Sequence, residues 1–122
     1  ARTLAEFLAN HDRVGNVFFP GLPDHPQFDR SKALFRYAGA ILSFELDPEI
    51  DLWTYMDKLK VAIKSTNLGD NRTLVIPVAH TIYFEMGPQR RASMGIHDSL
   101  IRISVGIEDI DDLIEDFSQA FD

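Results

Sequence analysis

The sequence contains no cysteine, which excludes disulfide bonds and thiolate metal ligands. A chain without cysteine is compatible with a reducing compartment, so we expect a cytoplasmic location. No apolar run approaches the roughly 18 residues needed to cross a bilayer, and no signal peptide is recognisable at Ala1, so we expect no association with a membrane. The first residue is Ala rather than Met, which is compatible with processing or with excision from a longer chain.

Positive charge is missing from the end of the chain. Residues 108–122 contain seven acidic residues and no Lys or Arg. Of the 19 acidic and 12 basic residues in the whole chain, the other 12 acidic and all 12 basic residues lie outside this segment, so the net charge of -7 originates there. An acidic helix repels phosphate backbones and no basic stripe offsets it, so we expect no binding to nucleic acid.

Recognisable metal and catalytic motifs are also missing. The four histidines, at positions 11, 25, 80 and 97, show no helical spacing typical of metal ligands. There is no glycine-rich phosphate loop or nucleophile elbow, and the C-terminal carboxylates lack the loop of a calcium site, so a solvated helix face is predicted there. Lys64 is the one lysine that could lie on a strand near polar groups, but lysines at strand ends usually point to solvent. We therefore expect no catalytic residue and no metal site within this chain.

What is present fits one globular domain, since 45% of the 122 residues are hydrophobic. The spacing of apolar residues and of turn residues predicts helices over 3–10, 24–37, 51–63 and 108–121, a helical turn over 89–94, and strands over 17–19, 40–46, 64–68, 73–78 and 100–105. This order predicts an α+β fold, a small and mainly antiparallel sheet with helices on one face.

Arg102 is the most informative residue of the last predicted strand. Counting by twos, Ile101 and Ile103 point to one face of the sheet, and Arg102 and Ser104 point to the other. A guanidinium in the middle of a strand is costly to bury without an anion. Strand periodicity alone favours a salt bridge to a carboxylate of the protein, and the alternative is the carboxylate of a ligand held by the two-pronged guanidinium.

Asn67 is a second candidate for the same site. If its strand neighbours that of Arg102, its side chain or nearby main-chain N–H groups could share an anion with the guanidinium. Local sequence supports equally an asparagine that precedes a turn and makes only local hydrogen bonds.

Three segments together resemble one enzyme family. Residues 19–26 (FPGLPDHP) are similar to the motif YPGLPSHP, and residues 39–46 (GAILSFEL) are similar to GGMLSFEL. Residues 95–113 (GIHDSLIRISVGIEDIDDL) are the most specific match. The order and spacing of these segments resemble the C-terminal domain of the pyridoxal-phosphate enzymes of cysteine and methionine metabolism, such as the cystathionine lyases and synthases, methionine γ-lyase and O-acetylhomoserine sulfhydrylase.

The resemblance implies roles for both candidate residues. Arg102 matches the arginine that binds the α-carboxylate of the substrate, and Asn67 matches a position that helps to hold it. Residues 77–83 (PVAHTIY) depart from the family's HPASMTH, keep only Ala79 and place Ile82 where the family has threonine. The LSFEL segment favours the lyase and synthase branch, whereas Asn67 favours the sulfhydrylases.

The resemblance also implies what lies elsewhere. Residues 1–122 would form a single C-terminal domain, and the large cofactor-binding domain, with its lysine for pyridoxal phosphate, would lie upstream and outside this chain. The full-length enzyme would be a homotetramer or dimer that performs β- or γ-elimination or replacement on a sulfur amino acid or activated homoserine, as a lyase or transferase. The chain alone would bind no cofactor and have no turnover. The alternative is a stand-alone, non-catalytic α+β module that binds an amino acid or mediates assembly.

Overall fold

The computed structural model describes all 122 residues. Its helices are α1 (Arg2–Ala9), α2 (Phe28–Leu34), α3 (Leu52–Lys58), α4 (Pro88–Ser93) and α5 (Ile110–Gln119). Its strands are β1 (Val14–Phe18), β2 (Ile41–Leu46), β3 (Ile63–Lys64), β4 (Leu74–Pro77) and β5 (Leu100–Ser104). The strands form one sheet in the order β1-β2-β5-β4-β3, antiparallel except for the β3–β4 pair. The predicted α+β class with a mainly antiparallel sheet is confirmed.

The core lies on one face of the sheet. Phe44 of β2 and Ile101 and Ile103 of β5 are fully buried in it. Helices α1, α3 and α5 cover this face and contribute Leu4, Leu8, Tyr55, Met56, Phe117 and Ala120 to the same cluster. The alternation predicted for β5 is therefore correct, and Arg102 lies on the face opposite these three helices.

Helix α3 is shorter than predicted. It was expected to reach Ile63 but ends at Lys58. The carboxylate of Asp116 in α5 accepts the main-chain N–H groups of Lys60, Val61 and Ala62, at 2.6–3.0 Å. A tertiary acceptor thus takes the donors that another helical turn would need.

Helix α2 is also shorter than the predicted range of 24–37. Its first residues are not helical, because residues 22–28 form successive turns in which His25 N–H donates to Leu22 O and Phe28 N–H to His25 O. The helix ends where Phe35 turns extended, with φ -131° and ψ 143°.

Strand β3 has only two residues instead of the five predicted. Lys64 pairs with Val75 of β4, and the chain beyond Ser65 leaves the sheet edge to form a loop, residues 65–70, on the Arg102 face. The segment 78–98, between β4 and β5, contains two 3₁₀ turns, Val78–His80 and Phe84–Met86, before α4. Helix α4 confirms the helical turn predicted over 89–94. No helix of the structure is long and apolar enough to cross a membrane.

Candidate functional site

Arg102 sits at the centre of the sheet. It is the third residue of the central strand β5, opposite Ser43 of β2 on one side and Ile76 of β4 on the other. Directly paired residues of antiparallel strands project to the same face, so Ser43, Ile76 and Arg102 share the face that the core helices leave free. The predicted position of the guanidinium is therefore correct.

Two main-chain carbonyls hold the guanidinium from one side. Arg102 Nη2 donates to Thr66 O at 3.0 Å and to Asn67 O at 3.3 Å. The loop of residues 65–70 is tied to the same strand a second time, because Gly69 N–H donates to Ser104 Oγ at 3.0 Å. Gly69 has φ +72°, a left-handed conformation that glycine adopts without strain. The glycine therefore allows the loop to turn tightly over β5.

Arg102 forms no ion pair with any carboxylate of the chain. The intramolecular salt bridge that strand periodicity favoured is therefore wrong. Its Nε is buried and donates to no acceptor. A buried donor without an acceptor is costly, so the guanidinium retains hydrogen-bonding capacity on the side away from the loop.

Burial lowers the pKa of Arg102, and the phenol of Tyr83 opposes that effect. Arginine nevertheless keeps its charge at neutral pH, because its ordinary pKa is above about 12. The site is thus a half-buried cation with an incomplete set of acceptors, which suits a planar anion such as a carboxylate.

Asn67 lies next to Arg102, but not on a neighbouring strand as expected. It belongs to the loop after β3 and is exposed. Its carbonyl meets the guanidinium and its N–H donates to Ser65 Oγ at 3.2 Å. The structure thus brings the two predicted residues together through the main chain of Asn67, and its side-chain amide stays free for another partner.

The loop that carries Asn67 is anchored at its far end by an ion pair. Arg72 donates from Nε and Nη2 to the two carboxylate oxygens of Asp70 at 3.1 and 3.0 Å. These bonds hold the pKa of Asp70 down to about 2. Arg72 is therefore paired with a carboxylate of its own chain, in contrast to Arg102.

The lysines do not supply a site for a cofactor linked to lysine. Lys64 pairs with Val75, which points into the core, and its amine forms an exposed ion pair with Asp57 of α3. The amine therefore lies on the helix side of the sheet edge, away from Arg102. Lys32 of α2 packs over the ring of Phe28, and Lys58 and Lys60 lie at the end of α3. The residues of this chain do not fit a covalent pyridoxal-phosphate site.

The structure contains no candidate metal site, and its two main cavities lie away from Arg102. No group of three or more potential ligands could hold a metal ion. The two largest surface cavities, about 780 and 560 Å³, lie beside α1, one against β1 and the other against α2, and neither is lined by Arg102. The site lies on the sheet face opposite the core helices, where its neighbours Ile76 and Ser104 are buried, and outside both cavities.

Three residues of structural consequence were missed by sequence reasoning. Asp116 and Glu108 belong to the acidic segment predicted to be solvated, yet Asp116 is 3% exposed and Glu108 accepts from the N–H and hydroxyl of Thr73. Tyr83 lies in a stretch without periodicity. No local signal distinguishes Asp116 and Glu108, because their hydrogen-bond partners are 35 to 56 positions away in the sequence. The charge that Tyr83 influences, Arg102, lies on β5.

Comparison with known proteins places this geometry in a family. The family model of the Cys/Met metabolism PLP-dependent enzymes matches residues 1–122. O-succinylhomoserine sulfhydrylase of Mycobacterium tuberculosis is 42% identical over 98% of the chain, which spans 31% of that protein. Cystathionine gamma-lyase of Bacillus subtilis is 36% identical over the whole chain, which spans 32% of that enzyme.

A solved structure gives the same result. Cystathionine gamma-lyase of Lactobacillus plantarum, in complex with L-serine, matches 99% of the chain with a TM-score of 0.94 and 34% identity, and the chain spans 32% of it. The chain therefore covers about a third of the length of the relatives it matches. It belongs to the Cys/Met metabolism PLP-dependent enzyme family.

Proposed function

We propose that the chain is the C-terminal, substrate-carboxylate-binding domain of a pyridoxal-phosphate enzyme that performs β- or γ-elimination or replacement on a sulfur amino acid or activated homoserine. The observation that carries the proposal is the state of Arg102. It is a half-buried cation on the sheet face opposite the core helices, with a buried donor nitrogen that lacks an acceptor and with no carboxylate of its own chain. An α-carboxylate supplies the missing charge and acceptors.

In this proposal the chain's part is orientation. A two-pronged bond from Arg102 fixes the substrate carboxylate, and the side-chain amide of Asn67 adds a polar contact from the loop that already holds the guanidinium. Both residues stand on the sheet or on a loop fastened to it, so their positions change little when a ligand binds. The L-serine of the Lactobacillus plantarum complex carries a carboxylate of this kind.

The cofactor belongs to the rest of the protein. The amine of Lys64 lies away from Arg102, and the other lysines lie on α2 and at or after the end of α3, so we propose that an upstream large domain binds pyridoxal phosphate, which supplies the electron sink for the chemistry. We expect the chain alone to have no turnover and the intact protein to be a cytoplasmic homotetramer or dimer. The relatives include both sulfhydrylases and lyases, and nothing in this chain separates the two activities.

Substitution of Arg102 in the intact enzyme tests the proposal. Arg102→Ala should raise KM for the amino-acid substrate about 100-fold, because a charge-assisted bond to a carboxylate contributes about 2–3 kcal/mol. Arg13→Ala is the matched control, since that arginine is paired with Asp47 and Glu49 beside the edge strand β1, and its KM should stay within about twofold. An unchanged KM in Arg102→Ala would remove the residue from the site.

The length of the intact reading frame tests the larger assignment. A frame about three times as long as this chain supports the enzyme. A frame of about this length would instead favour the stand-alone module.

A further inference from the structure

Glu45 is a buried carboxylate on the same sheet face as Arg102. It is 7% exposed and lies opposite Leu100 of β5, whereas Ser43 lies opposite Arg102. Residues two apart on a strand share a face, and so do directly paired residues, so Glu45 projects away from the core helices as Arg102 does. Glu45 is therefore a diagonal neighbour of Arg102, at a spacing that long side chains can bridge.

The two side chains are not paired, although each has a buried atom without a hydrogen-bond partner. These atoms are Oε1 of Glu45 and Nε of Arg102. No ion pair joins the two residues. Opposite charges attract more strongly where burial excludes water, so this pair would form if both side chains were unrestrained. Other groups of the chain therefore hold the carboxylate away from the guanidinium.

Asn16 and His97 are the groups that hold the Glu45 carboxylate. Asn16 Nδ2 donates to Oε2 at 2.7 Å. His97 Nδ1 lies 2.6 Å from Oε1, an ion-pair contact that lacks the usual hydrogen-bond geometry. Asn16 belongs to β1, the edge strand that flanks β2 on the side away from β5. The bond from Asn16 thus draws the carboxylate away from the strand of Arg102.

The guanidinium of Arg102 is held toward the other edge of the sheet. Its Nη2 donates to the carbonyls of Thr66 and Asn67, in the loop that follows the opposite edge strand β3. The two charges therefore lie on neighbouring strands but are fastened in opposite directions. This arrangement leaves the buried Nε of Arg102 for an acceptor from outside the chain.

We propose that Asn16 and His97 are positioning residues that hold the Glu45 carboxylate away from Arg102 and so keep the guanidinium available to the substrate carboxylate. This inference rests on the proposed function and deepens it. Neither residue touches the ligand, because each acts through Glu45. A released Glu45 competes for the guanidinium, and the apparent affinity for substrate then falls with the fraction of molecules in which Arg102 is free.

Release of Glu45 in the intact enzyme tests this inference. The double substitution of Asn16→Ala with His97→Ala should raise KM for the amino-acid substrate about tenfold, because Glu45 then occupies Arg102 in about nine of ten molecules. The value of kcat should stay within about twofold. In a Glu45→Gln background the same double substitution should change KM by less than about twofold, because a neutral amide does not compete for the guanidinium.

The matched control is the double substitution of Asn10→Ala with His25→Ala. These side chains bond only within their own segments, Asn10 Nδ2 to Glu6 O and His25 Nδ1 to the N–H of Gln27. The control removes the same two side-chain types without releasing Glu45, so KM should stay within about twofold.

Two outcomes overturn the inference. One is a KM unchanged by the double substitution, and the other is a rise of the same size in the Glu45→Gln background, which would mean that the two residues act on the fold and not through the charge. If the double variant does not fold, His97→Ala alone replaces it, because the imidazole is exposed and the Asn16 bond remains. That variant should raise KM about threefold, and Glu45→Gln should abolish the rise.

Arg102→Ala separates this inference from the proposed function. If Arg102→Ala raises KM and the release of Glu45 does not, only this inference fails. An unchanged KM in Arg102→Ala contradicts the proposed function itself.

Discussion

Asp116 and Arg102 are charged side chains on opposite faces of the same sheet, and both are held by main-chain groups. On the helix side, Asp116 is 3% exposed and its two oxygens accept three N–H groups at 2.6–3.0 Å. On the other side, Arg102 has two carbonyls on one nitrogen and a buried Nε without a partner. The carboxylate has hydrogen-bond partners for both oxygens within the chain, whereas the guanidinium has a buried nitrogen without one.

The difference in hydrogen-bond partners distinguishes a charged group that stabilises the fold from one that is available to bind a ligand. A buried charge with a full set of partners stabilises the fold, because its removal leaves those partners unsatisfied. A half-buried charge with spare donors stabilises little and is ready for a ligand. Asp116 ties the end of α3 to α5, whereas Arg102 keeps a donor without a partner on the sheet face opposite the core helices.

Removal of Asp116 should give the largest loss of stability. Asp116→Ala leaves the N–H groups of Lys60, Val61 and Ala62 without their acceptor, and each such group costs about 1–3 kcal/mol. We expect the free energy of unfolding, measured with urea, to fall by about 3 kcal/mol or more. Asp112→Ala on the exposed side of the same helix is the control and should change it by less than about 0.5 kcal/mol. Equal effects of the two substitutions would remove the distinction between the two regions.

Glu108 extends the comparison to a second saturated carboxylate, with a smaller expected effect. Burial raises the pKa of Glu108, but the hydrogen bonds from the N–H and hydroxyl of Thr73 outweigh it, so its pKa lies below the ordinary 4.5. Its contribution is therefore complete above pH 4.5 and is lost as the pH falls through the lower pKa of the folded state. Glu108→Gln should remove about 1 kcal/mol of this acid-dependent stability.

The test is urea unfolding at pH 7 and at the lowest pH at which the chain stays folded. Wild type should lose more stability between the two conditions than Glu108→Gln does. Glu115→Gln, which changes an exposed carboxylate of α5, should behave as wild type. The same pH dependence in Glu108→Gln and wild type would contradict the role of this carboxylate.

Removal of Arg102 should give the smallest effect on stability. Arg102→Met loses two bonds to carbonyls of an exposed loop and also removes a buried donor without an acceptor, so the free energy of unfolding should change by less than about 1 kcal/mol. Ile103→Val is the control on the buried face of the same strand and should cost about 1 kcal/mol through the lost methyl group. A loss of several kcal/mol in Arg102→Met would make the guanidinium a structural group like Asp116.

The parts of the fold that local pattern controls were predictable. The alternation of β2 and β5 placed both strands within one residue of their observed bounds and put Arg102 on the correct face. The three- and four-residue spacing of apolar residues located α5 in the same way. In these elements one face is buried, so the apolar residues recur in the sequence with the period of the strand or helix.

The parts that depend on distant partners were not predictable. Helix α3 ends early because Asp116 captures N–H groups more than 50 positions away, and β3 ends early because Arg102 and Ser104 capture the loop after it. At the candidate site, the family motif predicted Arg102 and Asn67. It did not indicate that the main chain of Asn67, rather than its side chain, meets the guanidinium. Tyr83 carried no pattern, because the segment between β4 and α4 that holds it is built from 3₁₀ turns.

The central claim is that Arg102 is reserved for a carboxylate from outside the chain, and competitive inhibition of the intact enzyme tests it most directly. The inhibition constant of an amino acid is compared with that of the matched amine, which lacks only the carboxylate, in wild type and in Arg102→Met. We predict that wild type binds the amino acid about 100-fold more tightly than the amine. In Arg102→Met this preference should fall to within a few-fold. A preference of the same size in both proteins would contradict the account.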